Sequence, residues 1–261
     1  VSGTDATTSS RPLAAVILAA GKGERMNSDL PKVVHDVAGR PIVWWVVHAV
    51  HRAGAERIIL VIGHGANLVR AIFAGDNVEV EFVVQDQQFG TGHAALCAEP
   101  VLPDFDGDVL VLAGDGPLIR PKTIDAMRTR HVETSAAATL ATSIIDDPTG
   151  YGRVVRDADG RFQAIVEHKN ATDEQRAIRE VYPSYACFRA EVLFDCLRRL
   201  SPNELTGEYY VTDVPAMLRD DGERVEVVDA VPPEDVLSIN TPEQLAEVDG
   251  ILRSRLEALK T

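Results

Sequence analysis

Three short, unbroken apolar runs constrain this chain more than any other feature: LAAVILAA from Leu13, RIILVIG from Arg57 and DVLVLAGD from Asp108. A strand with one wet face alternates apolar and polar residues, whereas a run without alternation is buried on both faces and needs a layer of helices on each side. Helical segments lie between these runs. PIVWWVVHAVHRAG (41–54) has Pro at its start and Gly at its end, and GANLVRAIFAG (65–75), GTGHAALCAEP (90–100) and PKTIDAMRTRHVE (121–133) follow, with VEVEFVVQ (78–85) as a further strand. The alternation predicts an α/β fold: a Rossmann-like, mixed but mostly parallel sheet with right-handed crossovers, flanked by helices.

After Ser135 the pattern shifts toward period two. AAATLATSII, GRVVRD, RFQAIVE and VYPSYACF look like antiparallel pieces, and DADG (157–160) is a hairpin turn between two of them. A smaller β-rich lobe is therefore expected beside the parallel part. TPEQLAEVDGILRSRLEALKT (241–261) reads as a closing helix with a Thr cap, Pro at its first position and a mild internal weakness at Gly250. Residues 1–11, rich in Ser, Thr, Gly and Asp and without periodicity, are expected to be a disordered tail. The remainder, 12–261, is expected to be one domain, with a first part over 12–134, a second over 135–240 and the closing helix over 241–261.

Charge and composition narrow the function. The 261 residues carry a formal net charge of −14, which disfavours nucleic acid as a partner because phosphate backbones are held by excess Lys and Arg. No apolar stretch is long enough for a membrane span and no leader pattern opens the chain, so a cytoplasmic protein without a membrane partner is expected. Cys97, Cys187 and Cys196 have no paired spacing and read as buried small hydrophobes rather than disulfides or zinc ligands. His48 and His51 lack a carboxylate to complete a metal site, and Trp44 and Trp45 read as packing residues on the same helix.

The loop behind the first strand, GKGERMNSDLPK (21–32), gathers Lys22, Arg25 and Lys32 in an otherwise acidic chain. Such a loop lies beyond the carboxyl end of a strand, where parallel sheets bind ligands. It is not a dinucleotide fingerprint: Met26 stands where the third glycine belongs, and Arg40 and Pro41 occupy the region of the expected acidic residue. It is not a P-loop either, since GxxxxGK followed by Ser or Thr is absent. Two readings remain for the loop by itself: an open loop whose glycines let backbone approach a nucleotide while Arg25 and Lys32 hold phosphates, or a surface loop with incidental charges.

The stretch LAAGKGERMNSDLPKVVHDVAGRPI resembles the signature of the sugar-nucleotide pyrophosphorylases, LxxGxGxRMxxxxPK with a following GxP. The blocks QDQQFGTGHA, LVLAGDGPLI, DDPTGYGRVVR, IVEHKNATDEQRAIREV, GEYYVTDV and SINTPEQLAEVD resemble, in order and spacing, the uridylyltransferase domain of the bacterial N-acetylglucosamine-1-phosphate uridylyltransferases. The resemblance implies a Mg²⁺-dependent transfer of uridylyl from UTP to a sugar-1-phosphate, giving UDP-N-acetylglucosamine or a related UDP-sugar and pyrophosphate, and a place in cell-wall precursor supply. It implies Arg25 and Lys32 as the phosphate-holding catalytic pair, and Asp115 with Asn240 as metal ligands. Leu18, Ala19, Ala20, Gly21, Gln85, Gly90, Thr91 and Gly114 would bind the nucleotide, and Gly152, Glu167 and Tyr182 the sugar.

At two places the sequence departs from the pattern. The family's usual Asn-Thr-Gly is replaced by Tyr182, Pro183 and Ser184, and Ala113 stands where some members carry Tyr. The first change bears on the acceptor, leaving open a pyrophosphorylase for another sugar phosphate or nucleotide, or a non-catalytic nucleotide-sugar-binding module. No hexapeptide repeat follows, so an acetyltransferase domain is not expected.

Overall fold

A computed structural model describes residues 11–260. Strand β1 (Leu13–Ala19) leads through the Gly-rich loop to a small ribbon, β2 (Asp36–Val37) with β3 (Arg40–Pro41), and then to helix α1 (Ile42–Arg52). The alternation continues as β4 (Arg57–Ile62), α2 (Ala66–Ile72), β5 (Glu81–Val84), α3 (Thr91–Leu96), β6 (Asp108–Ala113) and α4 (Pro121–Thr134). The second half holds β7 (Ala138–Ile144), β8 (Gly152–Arg156), β9 (Phe162–Val166), the single turn α5 (Asp173–Arg176) and β10 (Glu180–Arg189). It ends with α6 (Ala190–Arg199), α7 (Val214–Asp220), β11 (Val225–Asp229) and α8 (Pro242–Ala258).

The main sheet runs in the order β11-β7-β10-β6-β1-β4-β5, with the β8–β9 hairpin attached to β10. Strands β5, β4, β1 and β6 are mutually parallel, and β10 is antiparallel to both β6 and β7. The apolar runs occupy its centre for the reason their pattern implies. Leu13, Ala15, Ile17 and Ala19 of β1 join the core on one face, while Ala14 and Val16 join the core on the other.

The β-rich part expected after Ser135 is continuous with this sheet. Strand β10 is ten residues long and pairs with β6, β7 and β8, so β7, β10 and β11 extend the parallel sheet and only the β8–β9 hairpin leaves it. The DADG turn joins that hairpin as expected, with Asp157 Oδ1 accepting the N–H of Asp159 and of Arg161, each at 2.9 Å. Helices α6 and α7 and strand β11 were not anticipated. The expected tail lies outside the described residues except for Arg11, which is anchored: its guanidinium donates to Asp106 at 2.8 Å.

All three cysteines are free, and Cys187 and Cys196 are buried. Contrary to the expectation, His48 does have a carboxylate beside it, Asp76 at 3.1 Å; its ring is packed and stacked on Trp44, and among the described residues no group of three His, Cys, Asp or Glu side chains forms there. Among the described residues no helix is long and apolar enough to cross a membrane.

Candidate active site

Strand β4 lies on one side of β1 and β6 on the other, so chain order reverses at β1 and a crevice opens where these strands end. The Leu18–Gly21 segment and the Ala113–Asp115 turn leave the sheet side by side there: Leu18 pairs with Ala113, and Gly114 N–H donates to Leu18 O at 2.9 Å. A cleft of about 410 Å³ begins at these strand ends and extends to the β8–β9 hairpin and the Tyr210–Thr212 segment.

At one end of the cleft four side chains from three distant segments meet. Lys32 Nζ is ion-paired with the Asp115 carboxylate and donates to Asn240 Oδ1 at 2.9 Å. Arg25 Nη2 donates to the same Asn240 oxygen at 3.0 Å. The loop reaches this arrangement because Gly23 is left-handed (φ 73°), and a Cβ there would stand 2.5 Å from Lys32 Cβ. Asn240 is brought in by the Ile239 N–H, which donates to the Asp115 carbonyl at 2.9 Å. Its amide is oriented from behind, with Nδ2 donating to Ser238 Oγ at 3.2 Å and the backbone N–H to Gln244 Oε1 at 2.8 Å. Thr241 then caps α8 by accepting from the Gln244 N–H, with Pro242 at the first helical position. Asp115 and Asn240 thus turn two hard oxygen donors toward a cation, the ammonium of Lys32, and that donor set suits a divalent ion that takes its other ligands from phosphates and water. Among the described residues no three His, Cys, Asp or Glu side chains converge to make an all-protein metal cage.

The next wall is built by Gln85, only 4% exposed. Its Nε2 donates to Gly90 O at 3.1 Å and contacts His93 Nδ1 at 3.0 Å, so its two amide protons serve the protein and its carbonyl oxygen is what it offers the cleft. Gly90 has φ 101°, and a Cβ there would fall 2.5 Å from Tyr209 O. That close approach locks the Gly90–Thr91 turn to the opposite strap: Gly92 N–H donates to Tyr209 O at 2.7 Å, and Thr91 Oγ1 accepts from Val211 N–H at 3.1 Å.

Glu167, Lys169, Tyr182, Ser184, Tyr210 and Thr212 form the far end. Burial pushes the Glu167 carboxyl above its ordinary pKa, opposed by the Lys169 charge and by Thr212, whose hydroxyl donates to Oε1 at 3.4 Å. Lys169 Nζ donates to Tyr210 Oη at 2.7 Å. Tyr182 is 6% exposed and its ring joins the core with Val154, Phe162 and Ile165; burial raises its pKa, as does the neighbouring Glu167. Pro183 and Ser184 fall at a bulge where the β10–β7 register shifts, and Ser184 takes a left-handed φ of 68°.

Leu18, Ala19, Ala20, Gly21, Lys32, Gln85, Gly90, Thr91, Asp115, Glu167 and Tyr182 all line this one cleft. Arg25 and Asn240 join it through Lys32, Gly114 lies behind its wall against Leu18, and Gly152 stands in register with Tyr182. Lys22 is exposed and outside the cluster. Residue-by-residue reading missed Gln88, whose Nε2 donates to Ala20 O at 2.7 Å, and missed Lys169, Tyr210 and Thr212. All four lie inside the blocks QDQQFGTGHA, IVEHKN and GEYYVTDV, so the blocks themselves carried the signal.

A cleft at the switch point of a parallel sheet, with cations and a carboxylate at its mouth, defines a nucleotide-handling α/β protein. Residues 15–200 match the MobA-like NTP transferase domain, and this chain belongs to that family. It is 46% identical over 244 residues to the bifunctional protein GlmU of Geobacter metallireducens, covering 94% of this chain and 51% of that one. It is 44% identical over 243 residues to the protein of the same name from Syntrophomonas wolfei, covering 93% and 54%. The chain therefore spans about half the length of the curated relatives it matches. A crystal structure of apo UDP-glucose pyrophosphorylase superposes with TM-score 0.77 at 16% identity, over 94% of this chain and 99% of that one, and the UDP-glucose complex with TM-score 0.75; both share its fold.

Proposed function

We propose that the chain is a Mg²⁺-dependent uridylyltransferase that makes UDP-N-acetylglucosamine, or a related UDP-sugar, and pyrophosphate from UTP and a sugar-1-phosphate. The observation that carries this reading is the convergence of Arg25, Lys32, Asp115 and Asn240, drawn from three segments of the chain, at one end of a single cleft. In the reaction a phosphate oxygen of the sugar-1-phosphate attacks the α-phosphorus of UTP. One P–O bond forms there, the bond between the α-phosphorus and its bridging oxygen to the β-phosphate breaks, and pyrophosphate leaves with that electron pair. The chemistry asks chiefly for positioning and charge cancellation.

Arg25, exposed at the rim, neutralises the leaving pyrophosphate, and Lys32, deeper, holds the phosphate that reacts. Asp115 and Asn240 would hold the Mg²⁺, which when bound would supply positive charge to offset that of the phosphates. The Gln85 carbonyl accepts from the imide N–H of uracil, which cytosine lacks, and the Leu18–Gly21 backbone lies along the nucleoside. Glu167 accepts from sugar hydroxyls, with Gly152 and Tyr182 beside it. The Tyr182-Pro183-Ser184 segment, where the family pattern has Asn-Thr-Gly, makes acceptor choice the point at which this chain departs from that pattern. A cytoplasmic location fits such substrates.

A panel of sugar-1-phosphates crossed with UTP, dTTP, CTP and GTP, followed by pyrophosphate release, tests the proposal. Stabilisation by a UDP-sugar with no turnover on any pair would instead favour a nucleotide-sugar-binding module.

A further inference from the structure

Two large apolar cores fill the faces of the sheet, and a third, smaller one stands apart from them: Met26, Val37, Ile42, Leu118, Ile239, Val248 and Leu252. Three of its members are chain neighbours of the charged cluster. Met26 follows Arg25, Ile239 precedes Asn240, and Leu118 stands three residues beyond Asp115. Val37 sits in the ribbon that follows the Lys32 turn. The residues that gather them, Val248 and Leu252, belong to α8, and Val248 is fully buried. The same helix has two polar holds on these segments: Asp249 Oδ1 accepts the Ala38 N–H at 2.7 Å, and Arg255 Nη1 donates to Leu118 O at 3.3 Å.

We propose that α8 is the positioning element of the charged cluster, with Leu252 and Val248 as positioning residues that set the spacing of Arg25, Asp115 and Asn240 through this third core. The inference rests on the reading of the site given above. Its physical basis is that the three segments are loops tied to one another by a few polar contacts, the Ile239 N–H to the Asp115 carbonyl and the side chains that meet at Asn240, and the third core is the apolar packing that backs all three. Met26, Leu118 and Ile239 are their apolar anchors, and a packed core transmits a lost methyl group as a displacement. A shift of about an ångström in charged groups costs on the order of a hundredfold in rate.

The test compares Leu252→Ala with Leu218→Ala, a buried leucine of α7 in a different core, and with the conservative Leu252→Met. Native-state hydrogen exchange is followed at two amides: Met26, which donates to Gly23 O at 2.9 Å, and Ile239, which donates to Asp115 O at 2.9 Å. Mn²⁺ binding in the presence of UTP is followed by paramagnetic resonance, and kcat and KM by pyrophosphate release. Leu252→Ala is expected to speed exchange at both amides together, weaken Mn²⁺ binding and lower kcat by about tenfold or more. Leu218→Ala is expected to lower Tm without these changes, and Leu252→Met to restore them. If Leu252→Ala loses stability but leaves exchange, Mn²⁺ binding and kcat like those of Leu218→Ala, the proposal is wrong. Should Leu252→Ala not fold, Val248→Ala, a smaller deletion in the same core, takes its place with the same expectations. A wild-type chain without pyrophosphate release would sink the reaction assigned above, and exchange at the two amides would still decide the role of α8.

Discussion

Lys32 and Asp115, 83 positions apart in the chain, form a direct ion pair at the mouth of the cleft, with side chains only 15% and 18% exposed. A half-desolvated pair of this kind is costly to break by removing one partner, because the other is left as an uncompensated charge. In the proposed reaction both gain new partners together, the lysine a phosphate and the carboxylate a divalent ion. On that proposal the pair keeps two groups in place for anions and a cation that arrive with the substrates.

Asp115→Ala is expected to lower UTP-dependent pyrophosphate release by roughly 10²- to 10³-fold, the usual effect of removing one preorganised electrostatic group. Circular dichroism should show an intact fold, since Asp115 also holds Ile239 through its backbone carbonyl, which the substitution keeps. A rate within threefold of the parent would remove Asp115 from the chemistry.

Glu167→Gln is expected to raise KM for the sugar-1-phosphate by roughly ten- to a hundredfold, the about 1.5–3 kcal/mol carried by hydrogen bonds to a charged group. It should also raise Tm at neutral pH. The sign follows from burial: a carboxyl whose pKa is raised on folding binds its proton more tightly in the folded state. Its favourable contribution is present below the ordinary carboxyl range and is lost as pH rises through the raised value, leaving an ionised group that destabilises. KM for the acceptor should rise as pH falls through the same window. A Tm for Glu167→Gln at or below that of the parent at neutral pH would contradict this account.

Tyr182→Asn restores the amide found in the family pattern and is expected to raise activity toward N-acetylglucosamine-1-phosphate. The cost is the core packing of a ring that is 6% exposed, about 2–4 kcal/mol. Ser184→Gly, at φ 68°, relieves a left-handed residue and should recover about 1 kcal/mol of it. An unchanged or lower rate in the folded double variant would show that Tyr182 does not set acceptor choice.

Gly90→Ala should cost about 1–3 kcal/mol and raise KM for UTP, because its φ is 101° and the added Cβ would meet Tyr209 O at 2.5 Å. Gly160→Ala is the comparison: φ 78° with nothing within 4 Å of the added Cβ, so only the backbone preference is lost and KM stays unchanged. Equal effects of the two on KM would mean that the Gly90–Thr91 turn does not shape the nucleotide end.

The parallel half of the fold was legible because its strands are buried on both faces and its helices are punctuated by Gly and Pro. The ends of α8, with Thr241 and Pro242, were legible for the same local reasons. Helix α6 is legible on the same grounds, since Ala190, Leu193, Phe194 and Leu197 are spaced as one buried face. What no local pattern contains is that β10 runs antiparallel between β6 and β7, since pairing partners are chosen by the whole sheet. The same division holds at the site. Arg25 and Lys32 stand out in a local loop, but the contact of Asn240 with both depends on the segment ahead of α8 meeting the turn after β6, where the Ile239 N–H donates to the Asp115 carbonyl, and Lys169 is placed by Tyr210, 41 residues away.

The most direct test of the central claim is pyrophosphate release by the purified chain with UTP, Mg²⁺ and N-acetylglucosamine-1-phosphate or a related sugar-1-phosphate, run beside the Arg25→Ala, Lys32→Ala and Asn240→Ala variants. The account predicts metal-dependent turnover on at least one sugar phosphate, with each variant lowered by about tenfold or more. Turnover that persists undiminished in all three variants would contradict it.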